Sequence, residues 1–286
     1  MGSKMKIQNI CKLCLMAIVG FFLCSNIEAG ELPWEKALPF ENATIHYSVS
    51  GMGHGEEIVY VRDYGKEQAT YLDSTTKIMG MAVRERSVEI VDVDFVYSYD
   101  LQAQEGTKNV NPQKYMVKAY ANLTAEEKNK VQKNAIEMGG TLAEGMGGVL
   151  QQNAIELLGF GCDKIDMMGG GVIYLLHGTD LPLKAEMNMM GMKTSIVATS
   201  IDIGAVDPKY FMHPKGIVAI VDLEGDAMAE TMGVQIINAL KDPKAAKKGF
   251  AAAVNGTRLE SMAEEDKQKL EQGAELLKGI QNIFGQ

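Results

Sequence analysis

The strongest constraint on the fold is a period-two alternation of apolar and polar residues in the first half of the chain. Between Asn42 and about Tyr120 it is clearest in residues 43–49 (ATIHYSV) and 93–100 (VDFVYSYD). Alternation of this kind predicts strands with one buried face. Turn signals lie between such stretches, at residues 51–55, 63–66, 73–74 and 105–106. Short strands joined by tight turns predict an antiparallel sheet, a sandwich or a barrel.

The same period returns between Cys162 and Asp222. In residues 183–189 (LKAEMNM) every second residue is apolar, and residues 196–200 (IVATS) continue the pattern. A second group of strands is therefore predicted in this region.

Helical periodicity replaces the alternation between these two regions. Thr124 and Glu127 have the spacing of a capping box, and apolar residues at helical spacing follow as far as Leu157. This pattern predicts a helical insertion over about 124–158. Glycines at 139, 140, 145, 147 and 148 weaken its centre, because a glycine inside a helix costs about 1 kcal/mol relative to alanine. The centre is either a hinge or a place where the helix lies close to the sheet.

The first 29 residues have the order of a secretory signal peptide. Lysines at 4, 6 and 12 precede an apolar run over 13–24, and a small residue, Ala29, marks a cleavage site. The run is shorter than the roughly 20 residues that span a bilayer. An exported, periplasmic protein cleaved near Ala29 is predicted. An uncleaved anchor and a membrane-anchored lipoprotein acylated at Cys24 are the alternatives, although the bulky Leu23 before that cysteine disfavours acylation.

These patterns predict an α+β fold in three parts. Residues 1–29 are the signal peptide, residues 30–222 a β-rich domain that contains the helical insertion, and residues 223–286 a helical C-terminal extension. Within the extension, helices are predicted over 226–240, over 243–254 and from the capping box at Ser261.

The net charge narrows the possible partners, and the cysteine content predicts a free thiol. Loss of residues 1–29 removes three lysines and one glutamate, which changes the net charge from −9 to −11. An acidic chain is a poor partner for nucleic acid or anionic lipid, so no nucleic-acid partner is predicted. Cys162 is then the only cysteine, and we expect it to be a buried free thiol.

No catalytic motif is present, so the sequence predicts a protein that is not an enzyme and has no cofactor. None of the four histidines, at 46, 54, 177 and 213, lies in a known catalytic pattern. Glu56 and Glu57 point to opposite sides of a strand, and both are predicted to be solvated charges.

Methionine is unusually frequent, with 19 in the chain and a cluster over 187–192. Thioether clusters can hold Cu(I) in an oxidising compartment, but no ligand spacing supports a metal site here. Packing, or the wall of an apolar cavity, is the favoured interpretation, because methionine fills irregular apolar space.

One family resembles the chain between residues 160 and 217. The segments that carry the resemblance are C162-D-K, V172-I-Y-L, L181-P-L-K-A-E, M190-G-M, A198-T-S-I, V206-D-P-K-Y-F and H213-P-K-G. They are similar to the DUF4412 family of bacterial exported proteins and, more distantly, to LolA/LolB-like lipoprotein carriers. This resemblance implies a curved antiparallel sheet, an incomplete barrel whose concave face is covered by helices, and no catalytic residues.

The leading functional prediction is a periplasmic, non-catalytic binding protein for a hydrophobic ligand, a lipid or an acyl chain. The alternative is a structural or interaction protein of the cell envelope, with a filled core and an envelope protein as partner. The residues predicted to line the ligand site are Tyr47, Phe95, Tyr97, Met187, Met189, Ile196 and Ala198.

Overall fold

A single curved sheet dominates the structure. The computed structural model describes residues 32–78, 81–145, 149–167, 171–189 and 192–242. Within them, twelve strands follow the order β12-β6-β5-β4-β3-β2-β1-β11-β10-β9-β8-β7. These are β1 (Ala43–Gly51), β2 (Gly53–Arg62), β3 (Glu67–Ile78), β4 (Met81–Val91), β5 (Phe95–Asp100), β6 (Glu105–Val110), β7 (Val149–Leu157), β8 (Phe160–Met167), β9 (Gly171–Leu176), β10 (Pro182–Met189), β11 (Met192–Ile203) and β12 (Ala219–Val221).

The sheet is antiparallel apart from the pairing of β12 with β6, and it does not close. The prediction of an α+β fold with a curved, open, mostly antiparallel sheet is therefore confirmed.

Three helices occur in the described residues: α1 (Pro112–Ala121), α2 (Ala125–Gly145) and α3 (Leu223–Lys241). The capping box that precedes α2 is formed as predicted. Thr124 Oγ1 accepts a hydrogen bond from Glu127 N, and the Glu127 carboxylate accepts one from Thr124 N. Asp222 caps α3 by accepting from Gly225 N at 3.0 Å.

The prediction of a helix over 124–158 is wrong in its second half. Helix α2 ends at Gly145, and residues 149–157 form strand β7. Ile155 pairs with Cys162 and Leu157 with Phe160 across a tight turn at Leu158 and Gly159, both with positive φ. Val149 and Leu157 also fit a helical stripe, but the hairpin with β8 decides their structure, because pairing to a sheet overrides local periodicity.

Two smaller expectations also change. Residues 73–74, predicted as a turn, lie inside β3, and α1 interrupts the region predicted as strands up to Tyr120. The helix predicted over 226–240 is confirmed by α3. The helices predicted over 243–254 and from Ser261 lie outside the described residues, as does the signal peptide.

One face of the sheet, here the Tyr47 face, carries the largest core. Directly paired residues on neighbouring strands point to the same face. Tyr47 pairs with Ala198 on β11 and with Glu57 on β2, and Glu57 pairs with Leu72 on β3. This core, the Tyr47 core, includes Leu38, Phe40, Ile45, Tyr47, Val49, Val59, Leu72, Leu183, Ile196 and Ala198.

The opposite face, here the Tyr60 face, has a second core that residues 204–218 cover. In this covering segment Tyr210 stacks on Tyr60, with ring centroids 3.8 Å apart. Tyr71 donates its hydroxyl hydrogen bond to the backbone oxygen of Tyr210 at 2.8 Å. Tyr99 Oη lies 2.7 Å from Nδ1 of His213. The polar ends of these aromatic side chains are thus satisfied by the segment that buries their rings.

The helices form a third core and meet the sheet near its two ends. Met116, Val131, Ile237 and Leu240 are buried where the three helices pack together. Helix α3 contacts β6 near one end of the sheet, and α2 contacts β7 and β8 at the other. The helical layer therefore links both ends of the open sheet.

The β6 end shows on which face the helices lie. Gly225 of α3 lies against the side chain of Asn109. Leu72 on the Tyr47 face pairs with Ser87, and Glu89 lies two residues further along β4 on the same face. Glu89 pairs with Ser98 on β5, and Ser98 pairs with Thr107 on β6. Asn109, two residues after Thr107, is therefore also on the Tyr47 face. The helices therefore approach the Tyr47 face at this end.

Candidate ligand-binding site

Three predicted site residues lie together in the Tyr47 core. Tyr47 pairs with Ala198, Val49 pairs with Ile196, and Tyr47, Ile196 and Ala198 are all buried. The Tyr47 hydroxyl donates a hydrogen bond to the backbone oxygen of Pro182 at 2.8 Å. Burial, with a smaller contribution from the Glu57 charge, raises the pKa of Tyr47 well above its ordinary value.

The predicted methionines lie at the end of β10. Met187 pairs with Thr194, is half-buried and shares the Tyr47 face with Ala185. Met189 pairs with Met192 at the end of the strand, and its side chain lies outside the described part of the chain.

Phe95 and Tyr97 lie on the other side of the sheet. Tyr97 pairs with Ile90, which pairs with Ala69 and so belongs to the Tyr60 face. The Tyr97 ring is 4.5 Å from that of His213, and Lys108 Nζ lies 5.1 Å from the Phe95 ring. The structure therefore does not bring these two aromatics together with Tyr47 to line one cavity.

A buried glutamate, Glu57, and a half-buried one, Glu89, lie on the Tyr47 face; this acidic pair is the feature that the sequence interpretation missed. Glu57 on β2 is 5% exposed, and Glu89 on β4 follows two residues after Ser87, which pairs with Leu72 beside Glu57. Burial raises the pKa of Glu57 to about 7, with repulsion from Glu89 adding to it. Burial also raises the pKa of Glu89 to about 7.

The interpretation of Glu57 as a solvated charge is therefore wrong. The alternation of Glu56 and Glu57 contained the necessary signal, because one of two consecutive strand residues must face inward. Glu56 is the exposed member.

Two serines, here the hydroxyl pair, lie beside the acidic pair on the same face. Ser74 pairs with Gly55 on β2, Ser87 pairs with Leu72, and the two serines are 5% and 7% exposed. Among the described residues, neither pair has a side-chain hydrogen-bond partner. Every fully enclosed polar side-chain atom in the described part does have a partner. The carboxylates and hydroxyls of the two pairs therefore border open space rather than sealed core.

The charge on this face has one sign. The register of β1–β6, β10 and β11 assigns no Lys, Arg or His of their described residues to the Tyr47 face. The acidic residues on it are Glu57, Glu85, Glu89, Asp100 and Glu105. Asp100 is held by the backbone N–H groups of Gln102 and Ala103. These strands therefore supply no counter-charge for the acidic pair on their Tyr47 face.

Two other polar clusters are accounted for by the fold. Asp163 Oδ1 lies 2.7 Å from Nδ1 of His177 and accepts from Asn153 N at 2.9 Å. Burial opposes ionisation of Asp163, but the hydrogen bonds from Asn153, His177 and Gly178 keep its pKa below the ordinary value. Asn153 has a positive φ and lies where the register of β7 with β8 is irregular. The hydrogen bonds to Asp163 therefore hold a β-bulge in place.

A groove of about 380 Å³ lies beside the covering segment on the Tyr60 face. His46 Nε2 lies 3.7 Å from Asp202 Oδ2 in its wall, and Lys209 pairs with Asp207 at 2.9 Å. These polar groups satisfy one another, in contrast to the acidic pair.

Cys162 is fully buried, as predicted, and burial raises the pKa of its thiol. Within the described residues there is no cluster of three or more His, Cys, Asp or Glu side chains that could hold a metal ion. None of the helices described combines the length and apolarity needed to cross a bilayer.

Comparison with known proteins identifies no family for the chain. No family model matches it, and no curated protein matches it. An uncharacterized conserved protein from Thermus thermophilus aligns over 64% of this chain and 92% of its own, with 8% identity and a TM-score of 0.39. A structure of PNGF-II aligns over 69% of this chain and 33% of its own, with 13% identity and a TM-score of 0.33. Likenesses this low carry no information about function.

Proposed function

We propose that this protein is a non-catalytic binding protein that holds a hydrophobic ligand, a lipid or an acyl chain, between its helices and the Tyr47 face. The observation that supports this most is the placement of the helices, which contact the sheet near its two ends. Ala185 and Met187 extend the apolar surface of the Tyr47 core along β10. Open space bordering this face is consistent with a guest of variable shape, which flexible methionine accommodates.

The compartment is part of the same proposal. Residues 1–29 have the features of a cleaved signal, so the protein acts in the periplasm, and its fold is a LolA-like incomplete barrel of the DUF4412 type. Intact-mass measurement on the exported protein should give a mature chain that starts near Gly30. A chain that starts at an acylated Cys24 would instead establish the lipoprotein alternative.

A neutral fluorescent dye such as Nile red tests ligand binding directly. We expect the native protein to bind the dye and Met187→Glu to weaken binding at least about tenfold, because a charge in an apolar site is heavily penalised. Asn188→Glu is the matched control, since the neighbouring residue is exposed and points to the other face. Both variants should retain the wild-type circular dichroism spectrum.

A second candidate function is a structural or interaction protein of the envelope. It is favoured by the burial of Tyr47, Ile196 and Ala198 and by the packing of Leu38 and Phe40 on the same core. If native protein does not bind the dye and Met187→Glu unfolds it, the Tyr47 face is ordinary core and this second function is correct.

A further inference from the structure

The Tyr47 face has an apolar part and an acidic part, and Tyr47 lies on the boundary between them. On one side it pairs with Ala198 of β11, next to the apolar residues of β10. On the other side it pairs with Glu57 of β2, which begins the region of the acidic pair and the hydroxyl pair. An apolar surface that continues into a charged one matches an amphiphile rather than a purely hydrophobic molecule.

The acidic pair needs a positive partner that the sheet does not provide. Buried carboxylates are costly unless they are paired or hydrogen-bonded. Glu57 and Glu89 have no hydrogen-bonding partner in the described residues, and the same face of the surrounding strands presents no base. The hydroxyl pair, also without partners, adds neutral acceptors next to the carboxylates.

We propose that the acidic pair and the hydroxyl pair bind the ammonium head of a cationic amphiphile whose apolar chain lies along the Tyr47 core. This inference rests on the proposed function and specifies the ligand class for that site. A primary ammonium group has three donors, which suits the carboxylate and hydroxyl acceptors that this part of the face presents. Charge-assisted hydrogen bonds of this kind are about twice as strong as neutral ones.

Binding of a cation to this site depends on pH. Both carboxyls have pKa values of about 7, so each is substantially protonated at neutral pH. A bound cation favours their ionised forms, and binding therefore releases protons near pH 7. The other titratable groups that the register of β1–β6, β10 and β11 assigns to this face are Tyr47, Glu85, Asp100 and Glu105. All of them are neutral or acidic, so none opposes a cation.

Three probes with the same twelve-carbon chain separate the head group from the tail. They are dodecylammonium, dodecanol and dodecanoate, each titrated calorimetrically into the full chain at pH 8. The two ionic probes are kept below their critical micelle concentrations and dodecanol below its solubility limit. Dodecylammonium should bind at least about tenfold more tightly than dodecanol, as expected for one charge-assisted hydrogen bond. Dodecanoate should bind most weakly. At pH 7, titrations in two buffers of different ionisation enthalpy should show net proton release for dodecylammonium alone.

Neutral variants test the carboxylates individually. Glu57→Gln and Glu89→Gln should each lower the affinity for dodecylammonium by about ten- to a hundredfold and leave that for dodecanol unchanged. Glu56→Gln is the matched control, because this neighbour is exposed on the Tyr60 face, and it should change neither affinity. If Glu57→Gln does not fold, Glu89→Gln and the proton release of the wild-type protein carry the test.

The possible results separate the two proposals. Equal affinities for dodecylammonium and dodecanol, without proton release, would overturn the ammonium site and leave the proposed binding of a hydrophobic ligand intact. Failure of all three probes and of Nile red would overturn the proposed function and this inference with it.

Discussion

The two faces of the sheet both bury polar groups, but they satisfy them differently. On the Tyr60 face, Tyr71 donates to the backbone of Tyr210, and the Tyr99 hydroxyl contacts His213. On the Tyr47 face, Glu57 and Glu89 have no hydrogen-bond partner in the described residues. A polar group that is hydrogen-bonded by the segment covering it belongs to a packed core. Carboxylates without a partner beside open space instead indicate a candidate ligand-binding site.

The difference follows from what covers each face. The covering segment follows β11 directly in the chain and packs on the Tyr60 face, where the Tyr210 ring stacks on Tyr60 and the Tyr210 backbone oxygen accepts from Tyr71. The helices approach the Tyr47 face at the β6 end of the sheet and contact β7 and β8 at the other end. The covering segment can therefore supply a partner for the polar groups beneath it. The helices contact the sheet near its ends and leave the part of the Tyr47 face between those ends for other contacts.

The largest expected effect concerns the apolar part of the Tyr47 face. Ile45 is fully buried, so Ile45→Ala should lower the free energy of unfolding by about 2–5 kcal/mol, measured by urea denaturation. Ile203 on β11 is 62% exposed, and Ile203→Ala should change it by less than about 0.5 kcal/mol. A small loss for Ile45→Ala would mean that this region is not packed core.

The next effect is a pH dependence contributed by the acidic pair. The pKa of each carboxyl rises from 4.5 to about 7 on folding, so between these values the native state holds protons that the unfolded chain has released. The free energy of unfolding should therefore fall as pH rises from about 4.5 to 7, by up to about 3 kcal/mol per group, and then level off.

Glu57→Gln isolates one of these contributions. The variant should show a shallower fall over the same pH range, whereas Glu56→Gln should follow the wild type. Burial also raises the pKa of Asp180, which adds to the slope equally in all three proteins. An unchanged slope in Glu57→Gln would place this carboxyl in water and remove the contrast between the faces.

A smaller effect is expected for the cover of the Tyr60 face. Tyr210→Ala removes the stacking on Tyr60 and the edge contact with Tyr71. Aromatic pairs contribute about 0.5–1.5 kcal/mol beyond burial, so we expect a loss of about 1–3 kcal/mol in urea denaturation. Binding of Nile red should stay at the wild-type level, and a loss of dye binding in this variant would assign the dye to the Tyr60 face.

The smallest effects come from one hydroxyl on each face. Tyr47→Phe and Tyr71→Phe each remove a hydrogen bond of 2.8 Å to a backbone oxygen. Each should cost about 0.5–1.5 kcal/mol in the free energy of unfolding. A much larger cost for either variant would show that the two bonds are not equivalent and that one face depends on its hydroxyl more than the other.

Local sequence rules predicted much of the fold. The strands β1, β5, β10 and β11, the capping box of α2, and helix α3 correspond to patterns visible in the chain. They did not predict β7, because Val149 to Leu157 fits a helical stripe and a strand equally well. For the site, alternation identified Tyr47, Ile196 and Ala198 as inward-facing, but it could not reveal that Phe95 and Tyr97 face the other way.

The sequence by itself determined many of the strands and the helix caps at Thr124 and Asp222, because these depend on interactions over a few residues. Along each strand, alternate side chains point to opposite faces of the sheet. Only the tertiary structure decided which set points to which face, because this depends on the register between strands distant in the chain. Glu57 shows the distinction. Its alternation with Glu56 is local, but its burial results from pairing with Tyr47 and Leu72, and that burial raises its pKa to about 7.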